Sequence, residues 1–250
     1  MEMNYLLEGS GDKTIVFIHG LSDNLCFWQK LSQHLKDEYQ ILLYDIRGHG
    51  KSPYVPFTMD SLACDLHDLL LKLNIEKCSL IGLSMGGNIA LSFALKYPDM
   101  AEKLIIMSSF SRADDNLKSK FDEMENAIRN SYEEFYDMMI KYVLPKDVFE
   151  KNKELLELYK NESAKSANIE AIENGIDIGR DFSITDRLKC ISNPALILAG
   201  RDDELTVPAL SKILNDNIEN SQLVVFDNTK HNLLIGRNIS EILKLIRKFI

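Results

Sequence analysis

The sequence predicts an α/β protein: a doubly wound, mostly parallel sheet with one helical insertion. Three observations carry this. Short, nearly continuous apolar runs, many with β-branched residues, recur along the 250 residues. Segments with apolar residues at helical spacing separate them. The alternation lapses once, over residues 112–186, where the chain is charged and shows no strand pattern. Unbroken hydrophobicity over such short runs is what parallel strands need, because helices cover both of their faces.

The elements follow in order. "TIVFIHG" (14–20) reads as a strand, and "NLCFWQKLSQHLKDE" has the apolar spacing of a helix. "QILLYD" (40–45) is the next strand. It is followed by the helix pattern "TMDSLACDLHDLLLKL", whose Thr58 is an N-cap residue type. The strand "CSLIGL" (78–83) runs into the helix "GNIALSFALKYP", which Pro98 ends. After the strand "KLIIMS" (103–108) come the helix-rich stretches "NLKSKFDEMENAIRNSYEEFYDMMIKYVL" and "KDVFEKNKELLELYKNESAKSANIEAIENG". The strand "ALILAG" (195–200), helix "PALSKILNDNI", strand "QLVVFD" (222–227) and helix "ISEILKLIRKFI" complete the series. Residues 1–111 and 187–250 are thus expected to form the core. Residues 112–186 are expected to form a cap over the carboxyl edge of the sheet.

Composition narrows the function classes. Hydrophobic residues make up 45% and charged residues 27%, an ordinary globular balance. A formal net charge of −9, without any basic run, suits a soluble protein and argues against nucleic acid or an anionic membrane surface as partner. Neither a signal-peptide pattern nor an apolar stretch of transmembrane length is present, so the expected compartment is the cytoplasm. Cys26, Cys64, Cys78 and Cys190 form no CxxC pair, so no zinc site is expected. Each lies in or beside an apolar run and is expected to be a buried free thiol.

The chemistry lies in "GLSMGG", residues 82–87, between a strand and a helix. A sharp strand–turn–helix forces its central residue, Ser84, into a strained conformation. The residues two before and two after must then be small, or their Cβ atoms collide with backbone. The result is a hydroxyl presented at the carboxyl end of the sheet, where a helix N-terminus favours developing negative charge. Such a serine needs a base, and the base needs an acid to orient it. His34 and His67 fall inside helical patterns, and His19 and His49 sit in loops after strands. His231, in "NTKHNLL", follows the last strand and is downstream of the insertion. It therefore suits a chain order of serine, acid, histidine. Asp202 and Asp203, just beyond "ALILAG", are both candidate acids, of which only one can face His231. For an oxyanion, Met85 offers a backbone N–H at the helix start and Leu21 one from the loop after "TIVFIHG". His19 is then expected to brace neighbouring loops.

These residues resemble the α/β-hydrolase superfamily, in its capped esterase, lactonase and C–C hydrolase branch. "FIHGLSDNLCFW" is similar to the oxyanion loop of that family, "YDIRGHGKS" to its D-x-R-G-x-G-x-S loop, "GLSMGG" to its nucleophile elbow and "GRDDELTVP" to its G-x-x-D acid loop. The resemblance runs from about Tyr5 to the C-terminus, apart from the cap. It implies an α/β-hydrolase fold that lacks the first edge strand and so has about seven strands. It also implies Asp203, three residues after Gly200, as the acid, and an acyl-enzyme on Ser84 that His231-activated water hydrolyses. The family commonly has glycine before its catalytic histidine, whereas Lys230 stands here. A serine nucleophile rather than aspartate argues against dehalogenase and epoxide hydrolase activity.

The expected function is that of a serine carboxylesterase acting on small esters or thioesters, with no cofactor or metal. Enol-lactonase or C–C hydrolase activity, a perhydrolase side activity, and a hydrolase-like ligand receptor are the alternatives. In the cap, "FYDMMIKY" (135–142) is rich in aromatic and Met side chains. Those serve as helix core or, where they reach the cleft, as walls for an apolar group; Tyr136 and Met139 are the candidates.

Overall fold

A computed structural model describes residues 2–235 and 238–250. Its sheet has seven strands in the order β1-β3-β2-β4-β5-β6-β7. They are β1 (Tyr5–Glu8), β2 (Thr14–Ile18), β3 (Gln40–Tyr44), β4 (Cys78–Leu83), β5 (Ala101–Met107), β6 (Ala195–Gly200) and β7 (Ser221–Phe226). All neighbours pair in parallel except β1, which lies antiparallel to β3 with Tyr5 opposite Tyr44. β1 has no signature in the apolar pattern because it is a short edge strand whose residues stay partly exposed. The central strands β2, β4 and β6 are buried along their whole length, as their unbroken apolar runs require.

Helices cover both faces. α1 (Cys26–Ser32) and α10 (Asn238–Phe249) pack Trp28, Leu31, Ile242 and Ile246 on one side with Phe17, Ile81 and Leu198 of the sheet. α2 (Met59–Lys72), α3 (Met85–Lys96) and α9 (Pro208–Asn217) cover the other. Thr58 caps α2 in a reciprocal box: its side chain accepts from Ser61 N, and the Ser61 hydroxyl accepts from Thr58 N at 2.9 Å. α1 ends six residues before the sequence pattern does. The rest of that pattern forms turns, in which Leu35 is buried, and Tyr39 just beyond it is buried too. There the backbone of Lys36 to Tyr39 presses against Gly9 and Gly11, where a Cβ would overlap it.

Between β5 and β6 the chain forms five helices: α4 (Asp115–Asn130), α5 (Tyr132–Val143), α6 (Lys146–Lys151), α7 (Lys153–Ser166) and α8 (Ile169–Asp181). Ser131 separates α4 from α5. Its extended backbone ends one helix while its side chain accepts from Glu134 N to cap the next. Leu117, Phe121, Met124, Phe135 and Ile176 of these helices join the same apolar core as α2 and α3. α4, α5 and α8 are therefore joined to the core, whereas α6 and α7 bury no residue.

The expectation of four buried thiols is corrected. Cys78, on β4, is buried; Cys64 is half-buried; Cys26 and Cys190 are exposed. An apolar neighbourhood in sequence does not fix which side of a helix a residue faces. Cys26 opens α1 and Cys190 closes a 3-10 turn, and both face outward.

The order of the sheet reverses at its centre. β2 is followed by β3 on one side, whereas β4 adds on the other. A crevice opens at such a point, outside the carboxyl ends of β2 and β4. Leu21 follows the first of these strands and Ser84 the second.

Candidate active site

Ser84 stands between β4 and α3 with φ 52° and ψ −117°, outside the regions L-residues favour. Such a backbone costs on the order of 1–3 kcal/mol and persists only where the surroundings hold it. Here they do. Ser84 N donates to Met107 O at 2.9 Å, and the Ser109 hydroxyl donates to Ser84 O at 2.8 Å. Asn88 Nδ2 donates to Phe110 O at 2.6 Å, tying α3 to the segment after β5. The two glycines have the reason given by the sequence. A Cβ at Gly82 would overlap the backbone of Gly86, and one at Gly86 would overlap Ile18 O. The elbow and the loop after β2 are thus in direct backbone contact.

The acid loop lies beyond β6. Asp203 is buried, with 3% of its surface exposed, while Asp202 is exposed. Asp203 Oδ1 accepts from Leu205 N at 2.8 Å and Thr206 N at 2.9 Å. Its Oδ2 accepts from the Thr206 hydroxyl at 2.8 Å and lies 2.8 Å from His231 Nδ1. A buried carboxylate acceptor sets Nδ1 as the protonated nitrogen, leaving Nε2 free as an acceptor. The structure therefore brings Asp203, and not Asp202, to His231. Thr206, which also lies 3.1 Å from His231 Nδ1, was not legible as a partner. Its signal is a hydroxyl residue three positions after the acid.

The loop of His231 is held by the last turn of α5. His231 N and Asn232 N donate to Tyr142 O and Val143 O at 3.4 and 3.2 Å. Lys230 points away from the cavity: its Nζ donates to Lys141 O at 2.9 Å and pairs with Glu204 at 2.9 Å. Where the family commonly has glycine, this chain has a tie between the histidine loop, the acid loop and α5.

His19 braces two loops. Its Nδ1 lies 2.8 Å from Gly20 O, and its Nε2 accepts from Ile46 N at 2.9 Å. Complete burial, aided by neighbouring His49, pushes its pKa down to about 3, so it stays neutral. The consequence for stability has a definite sign. The unfolded chain takes up a proton below about pH 6.5 that the folded chain refuses until about pH 3. The group's contribution is therefore intact above pH 6.5 and is lost as pH falls, by about 1.4 kcal/mol per pH unit. Urea unfolding from pH 7 to pH 4 should show a shallower decline for His19→Gln than for wild type. Parallel declines would show that protonated His19 is tolerated in the fold.

Ser84, Leu21, Met85 and His231 line one cavity of about 660 Å³. Met85 is the first residue of α3, so its N–H has no intrahelical acceptor. Its other walls are mainly apolar: Phe110 after β5, Phe121 and Met124 of α4, and Phe135 and Met139 of α5 contribute. Tyr136 also lines it, and its hydroxyl donates to Leu156 O at 3.3 Å. The stretch 135–142 thus serves both expected roles, with Phe135 buried in the core and Tyr136 and Met139 at the cavity. Gly175 and Gly179 of α8 were not anticipated as walls. They lie one turn apart on a single helix face, and a Cβ on either would meet Leu21 or Phe121. Glycines four apart in a helical pattern were the available signal.

A strained serine on a strand–helix elbow, at the switch point of a parallel sheet, defines a hydrolase of the α/β class. The chain belongs to the alpha/beta hydrolase fold family, whose model matches residues 13–237. It is 29% identical over 233 residues to the "Putative carbamate hydrolase RutD" of Caulobacter sp. (strain K31), covering 86% of this chain and 82% of that one. It is 25% identical over 230 residues to 3-oxoadipate enol-lactonase 2 of Acinetobacter baylyi, covering 90% and 85%. Among solved structures, a thermophilic esterase from Thermogutta terrifontis superimposes with a TM-score of 0.86 at 26% identity, covering 99% of this chain and 92% of that one. Among the described residues, no helix is long and apolar enough to cross a membrane and no group of side chains could hold a metal ion.

Proposed function

We propose that this hydrolase is a serine carboxylesterase of the cytoplasm, cleaving esters or thioesters with an apolar acyl group. The observation that carries the reading is the shared cavity: Ser84 and His231 open into one apolar chamber, and Asp203 lies behind the histidine. His231 Nε2 takes the Ser84 proton as Oγ attacks the carbonyl carbon. The N–H groups of Leu21 and Met85 receive the oxyanion. Collapse expels the alcohol or thiol, which takes the proton from His231. Water, deprotonated by the same imidazole, then releases the acid.

A lactone derived from adipate would bring a free carboxylate into the chamber. Among the described residues, no Lys or Arg lines it. An uncompensated carboxylate there is costly to bury, which favours neutral esters over such a lactone.

Residues 112–186 are proposed to roof this chamber and to measure the acyl chain. Each methylene that enters an apolar pocket contributes about 0.8 kcal/mol, roughly a fourfold gain per carbon. For p-nitrophenyl esters from acetate to decanoate, kcat/KM should climb with length and then stop. Met139→Ala should move that stop to longer chains. Tyr136→Ala should do so less cleanly, because it also removes the bond to Leu156 O. An unchanged profile in both variants would take these residues out of the selector. Absence of turnover on the whole series would overturn the esterase reading.

A further inference from the structure

We propose that Asp23 selects the substrate of this site: its carboxyl, set beside tyrosines where the main chamber meets a smaller side cavity, receives an organic ammonium group and turns carboxylates away. The inference rests on the reading that substrate occupies the chamber of Ser84.

Asp23 lies in the loop after β2, two residues beyond Leu21, and lines both the 660 Å³ chamber and an adjoining cavity of about 270 Å³. Tyr132 and Tyr159 line both as well. Among the described residues, Asp23 is the only acid on the main chamber's wall, and neither cavity has a Lys or Arg on its wall. Asp23 Oδ1 accepts from Asn24 N at 2.9 Å, while Oδ2 has no protein donor among the described residues. The residue keeps part of its surface exposed, and that surface faces the cavities. A partly buried carboxylate with one oxygen unpaired is less favourable than a hydrated one unless something else completes it. A ligand cation does so, and tyrosine rings add attraction for the same charge.

The charges around Asp23 agree. Burial, with the charge of Asp45 adding to it, pushes its pKa up to about 7 against the opposing bond from Asn24 N. Tyr132 faces it as a neutral group, since burial pushes its hydroxyl up, and the exposed Cys26 thiol nearby is pushed up as well, by partial desolvation and then by the charges of Asp45 and Asp23. Burial lowers His49, on the side-cavity wall, so it supplies no cation. Glu162 on that wall is exposed and paired with Lys165 at 2.6 Å. Asp23 therefore gains its charge as pH rises through about 7, and preference for a cation should rise with it.

The test compares butyrylcholine with 3,3-dimethylbutyl butyrate, which has the same shape with carbon in place of the charged nitrogen. In wild type at pH 8, kcat/KM should favour the cation on the order of tenfold. The ratio should fall toward one at pH 6, and toward one at pH 8 in Asp23→Asn. Asp23→Glu should keep a preference of the same sign. A ratio cancels effects on the catalytic groups, His231 included. A ratio in wild type that does not change with pH, or one that survives in Asp23→Asn, would overturn the proposal. Dissociation constants for the same pair with Ser84→Ala, measured by calorimetry, read the selection without turnover. A cation preference there with no turnover in wild type would defeat the esterase reading and uphold the selector. Equal affinities would defeat the selector alone. Stability gives a second readout: a raised carboxyl pKa contributes below about pH 3.8, and that contribution is lost as pH rises through about 7. Asp23→Asn should accordingly raise Tm at pH 8 and leave it nearly unchanged at pH 3; an Asp23 that merely braced the loop would lower Tm at pH 8, which would count against the proposal.

Discussion

Ser84→Ala is expected to lower ester turnover on the order of 10⁴-fold or more while leaving the fold intact. Without the hydroxyl no acyl-enzyme forms, and neither His231 nor the amides of Leu21 and Met85 can substitute for a missing nucleophile. The fold should survive because the elbow is held through the backbone of Ser84: its N–H to Met107 O and its carbonyl from Ser109. Alanine keeps both bonds. The strained φ of 52° stays, and alanine tolerates it about as poorly as serine. Steady-state kinetics on p-nitrophenyl butyrate and a circular dichroism spectrum decide the matter together. Turnover near that of wild type with an unchanged spectrum would mean that Ser84 is not the nucleophile. A phosphonate ester should label wild type, and mass spectrometry should find the adduct on Ser84.

The second large effect concerns the acid. Asp203→Asn is expected to cost up to about 10⁴-fold in turnover, because an amide can donate to Nδ1 and favour the tautomer with its proton on the wrong nitrogen. The variant also presents an amide to donors built for a carboxylate: Leu205 N, Thr206 N and the Thr206 hydroxyl. Asp202→Asn should cost far less, since Asp202 is exposed and it is Asp203 that lies 2.8 Å from His231 Nδ1. The reverse ranking, measured on the same ester, would show the acid to be misassigned.

The two residues also show how much of the site the sequence revealed. From local pattern, Asp202 and Asp203 were equivalent: two adjacent carboxylates beyond a strand. Resemblance to the G-x-x-D loop favoured Asp203, and its geometry agrees, with three donors around it and the imidazole at 2.8 Å. Thr206 escaped because its role depends on where His231 arrives from, 25 residues later in the chain. The cavity walls contributed by α4, α7 and α8 escaped for a related reason. Amphipathic spacing says that a helix has an apolar face, but not what that face covers. Phe121, Met124 and Phe135 have the same helical pattern whether they fill a core or border a chamber, and they do some of each.

What the sequence by itself determined is the sheet, the elbow and the family. The apolar runs are continuous because their strands are covered on both faces, so composition and position coincide there. In "GLSMGG" the small residue at 82 is demanded by the Gly86 backbone four residues on, a local contact and therefore legible, whereas the one at 86 is demanded by Ile18 O at the end of the neighbouring strand β2. Tertiary structure alone decided the rest: that β1 pairs antiparallel with β3, that Cys26 and Cys190 face outward, that Lys230 ties its loop to α5, and that Asp23 meets two cavities. Each of these depends on groups that approach across the fold from distant parts of the chain. Long-range approach leaves no periodicity in a sequence, because the cost of burying a charge or the gain of pairing a strand is set by the partner and not by the neighbours.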